Sequence, residues 1–493
     1  MSAFSSTVAG PDGFIVSLDV GSSSVRALAF DPRARQVKNL GARRAYSIAA
    51  TSDGGAEIDP RMLESLTVEC LDELHAQIHA ETRGAGLRVA AVGFSAFWHS
   101  FCGVDAEGKP SLPILHLLDT RSASEVPRVP DAHQRTGCPP HSSYWPAKLL
   151  WLEQNRAPEF RATRRWLSFP EYFFEKLFGR ARASVSMLSA TGLWNQAGND
   201  YDDQTLAALP IRRDQLAAVD HLDEPMRELL PEYRDRWPAF HGIPWYPAIG
   251  DGAANHLGSG FAEPGHFSLM AGSTGAMRSL VDSLDGGIPE GLWCYRVDRG
   301  RLLMGGALSN GGDVFAWLSR TLQLPRDIEA RLHSAVPGSH GLTVLPFLAG
   351  ERSPYWRSDL RAAIVGLALA TEPFHIAHAA LESVALCFRE LYAAMAARLG
   401  VPREIVASGG ALVQSPAWAQ IVADALGRPL SLPPIPEASS RGAAIYVLER
   451  LGLPIEDAPP GPLFSPRRQF EPVYARLLLE HRKLCNDLFG RRA

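Results

Sequence analysis

The sequence predicts an α/β protein built as two related domains, each a sheet covered by helices, facing one another across a cleft. Three observations carry this expectation. Buried-strand patterns alternate with helical ones along the chain. A strand, a Gly-Ser/Thr turn and a returning strand occur twice, around Asp19-Val20-Gly21-Ser22-Ser23-Ser24 and around Gly272-Ser273-Thr274-Gly275. The length, 493 residues, suits two large domains or about three ordinary ones.

Residues 14–19 (FIVSLD) read as a buried strand and 25–30 (VRALAF) as its hairpin return. A helix is expected from Pro60 to Thr82, then a buried strand over 87–95 (LRVAAVGFS). Helices follow at 144–155, 170–178 and 226–236, and a short strand at 246–250 leads into Asp251-Gly252. The second half opens with strand 266–271, the turn Gly272–Gly275 and a return over 276–281. Apolar periodicity marks a helix from Phe374 to Leu399, with Gly400 as its C-cap. Strand 404–408, the turn Gly409-Gly410 and helices at 416–426 and 439–451 complete the pattern. Glycines and a proline cluster at 258–265, which sets the domain boundary there. The expected organisation is a disordered tail at 1–13, domains at 14–260 and 261–453, and an extension at 454–493. That extension is a Pro-rich wrap followed by a terminal helix.

Composition excludes several classes. Charges nearly balance, with a formal net charge of −4, so no basic surface points to nucleic acid. Lysine stands only at Lys38, Lys109, Lys148, Lys176 and Lys483, leaving arginine to supply 44 of the 49 basic residues. The one Gly-Lys pair, Gly108-Lys109, is followed by Pro110, so no Walker loop is present. The six cysteines are never closer than 32 positions, which excludes a C-x-x-C motif and suits reduced thiols in a cytoplasmic protein. Residues 1–13 lack the basic charge of a signal peptide, and no apolar run is long enough for a membrane span. His75 and His79 share a helix face, as do His375 and His378; without a third ligand these read as solvated faces.

Four constellations could carry chemistry. The first turn, with Asp19, Gly21, Ser22, Ser23 and Arg26, offers hydroxyl and backbone donors to phosphate and a carboxylate to Mg²⁺; it could equally be an ordinary hairpin. The turn Gly272-Ser273-Thr274-Gly275 repeats the device, and two such turns could grip one polyphosphate. In Gly250-Asp251-Gly252 a carboxylate follows a strand, either as a general base or as a helix N-cap. The pairs Gly409-Gly410, Gly305-Gly306 and Gly311-Gly312 either admit a ring or ribose against the backbone or serve as turn glycines. Asn255 stands where a dinucleotide fingerprint needs its third glycine, and no G-x-S-x-G elbow occurs.

These residues lie in blocks that resemble the FGGY carbohydrate kinases, from about residue 14 to 452. The blocks are DVGSSSVRALAFD (19–31), PAKLLWL (146–152), GDGAANHLGSG (250–260), AGSTGAMR (271–278), NGGDVFAWL (310–318), PFLAGERSPYW (346–356), ASGGALVQSPAWAQIVADALGRPL (407–430) and EASSRGAAIYVL (437–448). GFSAFWHSF (93–101), SFPEYFFEKLFG (168–179) and SATGLWN (189–195) look most like the gluconokinase branch.

The resemblance implies an actin/hexokinase-like (ribonuclease H-like) fold in both domains, ATP and Mg²⁺ as cofactors, and a small sugar or sugar acid as substrate. It implies Asp251 as catalytic base, with Gly252 beside it, and Asp19 as the acid near Mg²⁺. It assigns Gly21, Ser22, Ser23 and Arg26 to one phosphate contact and Gly272, Ser273 and Thr274 to the other. Gly312, Gly410 and Gln414 match positions near ribose and adenine, and Trp98 and His99 a sugar-contacting pair. His99 and Arg121 are the candidate partners of a substrate carboxylate, with pairing to Asp119 as the alternative for Arg121. The chain departs from the pattern on the sugar side. Trp98-His99-Ser100 stands where Met-His-Ser is usual, and Leu117-Leu118-Asp119-Thr120-Arg121 lacks the tryptophan of Trp-Ala-Asp-Asn-Arg. The second phosphate turn reads Gly-Ser-Thr-Gly in place of Gly-Thr-Ser-Gly. The expected activity is phosphorylation of D-gluconate, with xylulose or another pentulose or polyol as runner-up and a non-catalytic sensor as a third reading. A homodimer is compatible with the sequence, which does not set the oligomeric state.

Overall fold

The structure, a computed structural model, describes residues 13–81, 88–260, 263–456 and 458–490. Apart from Gly13, the tail expected at 1–13 lies outside the described residues, as do Thr82 and Leu87 at the ends of two expected elements. The chain forms two compact units. The first comprises Met1–Gly260, Tyr295–Leu302 and Glu437–Asp457; the second comprises Phe261–Cys294, Leu303–Pro436 and Ala458–Ala493. Two segments expected in the second domain, Tyr295–Leu302 and the helix after Glu437, therefore belong to the first unit.

In the first unit a five-stranded sheet runs in the order Ile249–Gly250, Arg88–Ala96, Gly13–Val20, Ser24–Phe30, Gln36–Ala45. Gly13–Val20 pairs antiparallel with Ser24–Phe30 through the Gly21–Ser23 turn, and parallel with Arg88–Ala96. Its side chains from Ile15 to Val20 are buried on both faces, as a central strand requires. The helix Pro60–Glu81 packs on Ser24–Phe30 and Gln36–Ala45. The helix Ala438–Arg450 packs on Gly13–Val20, Arg88–Ala96 and the helix Asp251–Gly258. A second apolar cluster gathers Phe101, Trp145, Trp166 and Trp194.

The contact between the Asp251–Gly258 and Ala438–Arg450 helices leaves no space for a side chain at its glycines. A Cβ on Gly258 would stand 1.7 Å from Ala438 O, and one on Gly442 would stand 1.7 Å from Ala254 O. Gly93 in the adjoining strand lies under Ala443 in the same way, at 2.6 Å. Glycine here is a requirement of close backbone approach.

The second unit repeats the hairpin device. His266–Ala271 pairs antiparallel with Gly275–Val281 and parallel with Glu404–Ser408, the relation Gly13–Val20 bears to its two neighbours. Its strands follow the order Leu302–Leu308, Gly275–Val281, His266–Ala271, Glu404–Ser408, Leu430–Ser431, Leu463–Phe464. Gly305 and Gly306 lie inside the Leu302–Leu308 strand, where added Cβ atoms would fall 2.3 Å from Met277 O and 2.4 Å from the Leu391 side chain. They serve strand packing, not a turn or a ligand.

The C-terminal extension is fastened to the second unit. Arg467 grips Asp424 with two guanidinium nitrogens at 2.9 and 2.7 Å, Tyr474 Oη donates to Glu382 at 3.1 Å, and Arg482 Nε donates to Glu390 at 2.6 Å. Tyr474 and Arg482 belong to the terminal helix Glu471–Phe489. Glu382 corrects the expectation of a solvated face at His378. Both residues are buried, and the carboxylate also accepts from His340 Nε2 at 2.7 Å. Burial opposes its charge, yet the hydrogen bonds from His340 and His378 hold the carboxyl down to about 2. His75, by contrast, packs edge-on against Phe240 at 5.3 Å. No group of metal-ligating side chains forms among the described residues.

Replacing Gly442 by alanine should cost about 1–3 kcal/mol by overpacking and lower the urea midpoint of unfolding. An unchanged midpoint would show that the helix contact yields without cost.

Candidate active site

In the first unit the sheet register gathers acidic residues at one edge. Asp19 lies opposite Ser95, and Gly250 lies opposite Ala96, so the carboxyl-end residues of the parallel strands reach the same level. Asp251 follows at once, and Trp98 and His99 follow Ala96. Ligands of open α/β sheets bind at such edges.

Asp19 is buried, at 2% exposure, and its Oδ2 accepts from Arg26 Nη1 at 3.0 Å. Burial raises its pKa above the ordinary carboxylate value, against the pull of Arg26. Its Oδ1 is buried with no hydrogen-bond partner among the described residues. Mg²⁺ keeps most of its waters and takes only one or two carboxylates. A buried, unpaired carboxylate oxygen fits that demand, so Asp19 can serve as its protein ligand.

Arg26 also lies 3.3 Å from Glu437, so two carboxylates claim the guanidinium expected to contact phosphate. The hydroxyls of Ser22 and Ser23 are exposed at the turn, which Gly21 N–H closes on Ser24 O at 3.0 Å. Tyr46, unmarked by any motif, donates its hydroxyl to Gly21 O. Burial and the charges of Asp19 and Asp251 push the Tyr46 phenol above its ordinary range, which places it near both acids.

Asp251 is the first residue of its helix, and Gly250, not Asp251, occupies the N-cap. The N-cap alternative is thereby corrected. The half-buried carboxylate accepts the Gly252 N–H at 2.7 Å, in the positive end of the helix dipole. Trp98 makes a wall beneath it. The indole lies where a Gly250 Cβ would be, 1.8 Å away, and Nε1 donates to Ser186 O at 3.0 Å.

His99 has a left-handed backbone, φ 65°, which is strained for a non-glycine residue. Its Nδ1 lies 2.6 Å from the Ala190 carbonyl oxygen, so Nδ1 carries the proton. Its ring meets Tyr144 and Tyr295 edge-on at 5.0 and 5.4 Å, and the two tyrosine hydroxyls are 2.6 Å apart. The aromatic pair carried no sequence signal beyond residue type.

Arg121 takes the alternative the sequence offered, a pairing with Asp119. Its guanidinium forks onto Asp119, donates to Glu57 at 2.6 Å and stacks 4.5 Å over Trp151. It closes the Glu57–Asp119 region. Next to it, buried Lys148 donates to His116 O at 2.8 Å and Ser143 O at 3.0 Å. Ser143 precedes Tyr144, so Lys148 ties the Asp119 loop to the tyrosine wall.

In the second unit glycines bring three turns together. Gly312 N–H donates to Gly272 O at 2.7 Å, and Asp313 N–H donates to Ser273 O at 3.2 Å. A Cβ on Gly311 would meet the Thr274 backbone at 2.7 Å, and one on Gly312 would meet Ala411 at 2.9 Å. Gly409, at φ 99°, lies against Ala271, and Gly410 is 3.8 Å from Gln414 Nε2 measured from the Cβ position. The structure thus assembles Gly272, Ser273, Thr274, Gly312, Gly410 and Gln414. Ser273, Gly410 and Gln414 are exposed.

Two units, each a hairpin-and-parallel-strand sheet with a Gly-Ser/Thr turn, define the sugar-kinase class of fold. Residues 14–258 match the FGGY family of carbohydrate kinases, N-terminal domain, and residues 277–448 match its C-terminal domain. The chain belongs to the FGGY family of carbohydrate kinases. It is 25% identical over 460 residues to a gluconokinase of Bacillus subtilis, covering 89% of this chain and 88% of that one. It superposes on the structures of a gluconate kinase and a ligand-bound xylulose kinase, both from Lactobacillus acidophilus, with TM-scores of 0.85 and 0.86. Each is 24% identical and covers 97% of this chain and 98% of the other.

Lys148 yields a pH prediction. Burial pushes its ammonium down to about 7, against the pull of Asp119, while the unfolded chain keeps the ordinary value near 10.5. Between these values the unfolded state binds more protons, so this group makes stability rise with pH, by up to about 1.4 kcal/mol per unit. Urea unfolding at pH 7, 8 and 9 should show wild type gaining on Lys148→Met as pH rises. Parallel curves would assign the lysine an unshifted pKa.

Proposed function

We propose that the protein is an ATP-dependent kinase that phosphorylates a terminal hydroxyl of a small sugar acid, D-gluconate to 6-phosphogluconate. The observation that carries this reading is Asp251 at a helix N-terminus, level with the buried acid Asp19 at the same sheet edge. Asp251 orients the acceptor hydroxyl and takes its proton. The freed oxygen attacks the γ-phosphorus in line, and the bond to the ADP oxygen breaks with its electron pair leaving on ADP. In the first unit Ser22 and Ser23, with the backbone N–H groups of their turn, would hold phosphate oxygens as charge moves onto them; in the second, Ser273 and Thr274 are the matching donors for ATP phosphates. Mg²⁺, held through Asp19, would supply charge neutralisation of the phosphates. Gly312, Gly410 and Gln414 would meet the ribose and adenine.

Gluconate is favoured by the likeness to the B. subtilis gluconokinase. With Arg121 engaged by Asp119 and Glu57, the carboxylate of the substrate would fall to His99 and the Tyr144–Tyr295 hydroxyls. That same loss of a free arginine favours the second reading, an uncharged pentulose such as xylulose. A cytoplasmic location accords with six buried cysteines, all free thiols. No described helix is long and apolar enough to cross a membrane.

A coupled ADP-release assay over gluconate, xylulose, ribulose, glycerol and erythritol decides the substrate. Gluconate should turn over fastest; rapid turnover of a ketose with none of gluconate would replace it. Asp251→Asn should lower kcat by about 10²–10⁴-fold while the affinity for a non-hydrolysable ATP analogue stays within about threefold. Near-normal turnover would remove Asp251 from the mechanism.

A further inference from the structure

The turn that meets Gly272 is made of two glycines, Gly311-Gly312, which bring no side chains of their own to hold its shape. Its frame comes from the segment 346–356. Ala307 N–H donates to Ser353 Oγ at 3.1 Å, and Ser353 N–H returns to Ala307 O at 2.9 Å. The Asn310 amide donates to Gly350 O at 2.8 Å and accepts from Ala349 N–H at 3.1 Å. Between them, Glu351 Oε1 accepts the N–H of Ser309 and that of Arg352. Arg352 Nη2 donates to Leu308 O at 2.9 Å, so all four residues before the glycines are held from one segment.

We infer that Glu351 is a positioning residue for nucleotide binding, its carboxyl fixing the Ser309–Gly312 turn against Gly272-Ser273-Thr274. The inference rests on the reading of that turn as part of the nucleotide site. Glu351 is 1% exposed, and its Oε2 is buried with no hydrogen-bond partner among the described residues. Around it stand Arg352 on its own segment, the Ser309 hydroxyl on the turn and the Cys387 thiol from the helix Pro373–Leu399. Burial raises the carboxyl to about 8, against the bonds from Ser309 and Arg352. The neutral acid therefore fills the site at pH 7, and glutamine reproduces it: one oxygen accepting both N–H groups and no charge.

The test is steady-state kinetics of the full chain, with ATP and the acceptor varied separately. Glu351→Ala should raise KM for ATP about tenfold with KM for the acceptor within twofold, and Glu351→Gln should restore ATP binding to within threefold of wild type. Gly312→Ala reports on the turn itself. If Gly312→Ala raises KM for ATP and Glu351→Ala does not, the positioning role is overturned while the nucleotide site stands. If neither moves it, the reading of the turn fails and the inference with it. Should Glu351→Ala not fold, Glu351→Met, which keeps the volume and removes the acceptor, takes its place: KM for ATP should rise about tenfold in it, and an unchanged KM would overturn the proposal.

Discussion

The candidate base depends on one steric fact: the Asp251–Gly258 and Ala438–Arg450 helices touch backbone to backbone. At Gly258 and Gly442 a methyl group would overlap a carbonyl oxygen. That contact sets the height of Asp251 above the sheet, because the helix cannot slide without separating the two backbones. Arg441, from the same second helix, donates to Gly258 O at 2.8 Å and so seals the far end of the Asp251 helix. The start of the second helix reaches the other acid. Glu437 pairs with Arg26, and Ser440 Oγ lies 3.4 Å from Asp19 Oδ2. One late segment of the chain therefore disciplines both carboxylates, although it lies more than 180 residues beyond Asp251 in sequence. Its grouping with the first unit follows from this packing.

The legible parts of the fold were those whose patterns are local. The helix at Pro60–Glu81, the two hairpins and the strand Glu404–Ser408 are visible as apolar periodicity bounded by glycine or proline. The strand Gln36–Ala45 was not visible, because it is an edge strand with alternating exposure too weak to mark it. The helix expected at 226–236 shrinks to Pro231–Arg236 for a definite reason. Met226 exchanges two backbone hydrogen bonds with Trp245, at 2.9 and 2.7 Å, and that extended pairing excludes a helical turn.

The same division runs through the site. Short motifs exposed Asp19, Asp251 and the glycine turns, since the residues that make each turn are neighbours in sequence. Beyond Asp119 and Asp19, the second partners of Arg121 and Arg26 were not legible: Glu57 is 64 residues from the first and Glu437 is 411 from the second. Tyr46, Tyr144 and Tyr295 join the site only through the fold. His378 was a nearer miss. Glu382 stands one turn away on the same helix, and a carboxylate at that spacing was the available signal that the histidine is paired.

Several of the arginines that outnumber lysine act as planar forks on carboxylates. Arg467 on Asp424, Arg135 on Asp202 and Arg301 between Asp298 and Glu449 each present two nitrogens to a carboxylate. A lysine offers a single point charge and cannot fix the orientation of its partner in this way. Lys148 is the instructive contrast. Its two close acceptors are carbonyls from separate chain segments, a task for a small head with several donors and one that tolerates a lost proton. Arginine would remain charged in that buried position. On the proposed reading, phosphate contacts would fall to hydroxyls and backbone N–H groups for a related reason: Arg26 is already balanced by Asp19 and Glu437, so a turn of small residues can approach an anion without first breaking an ion pair.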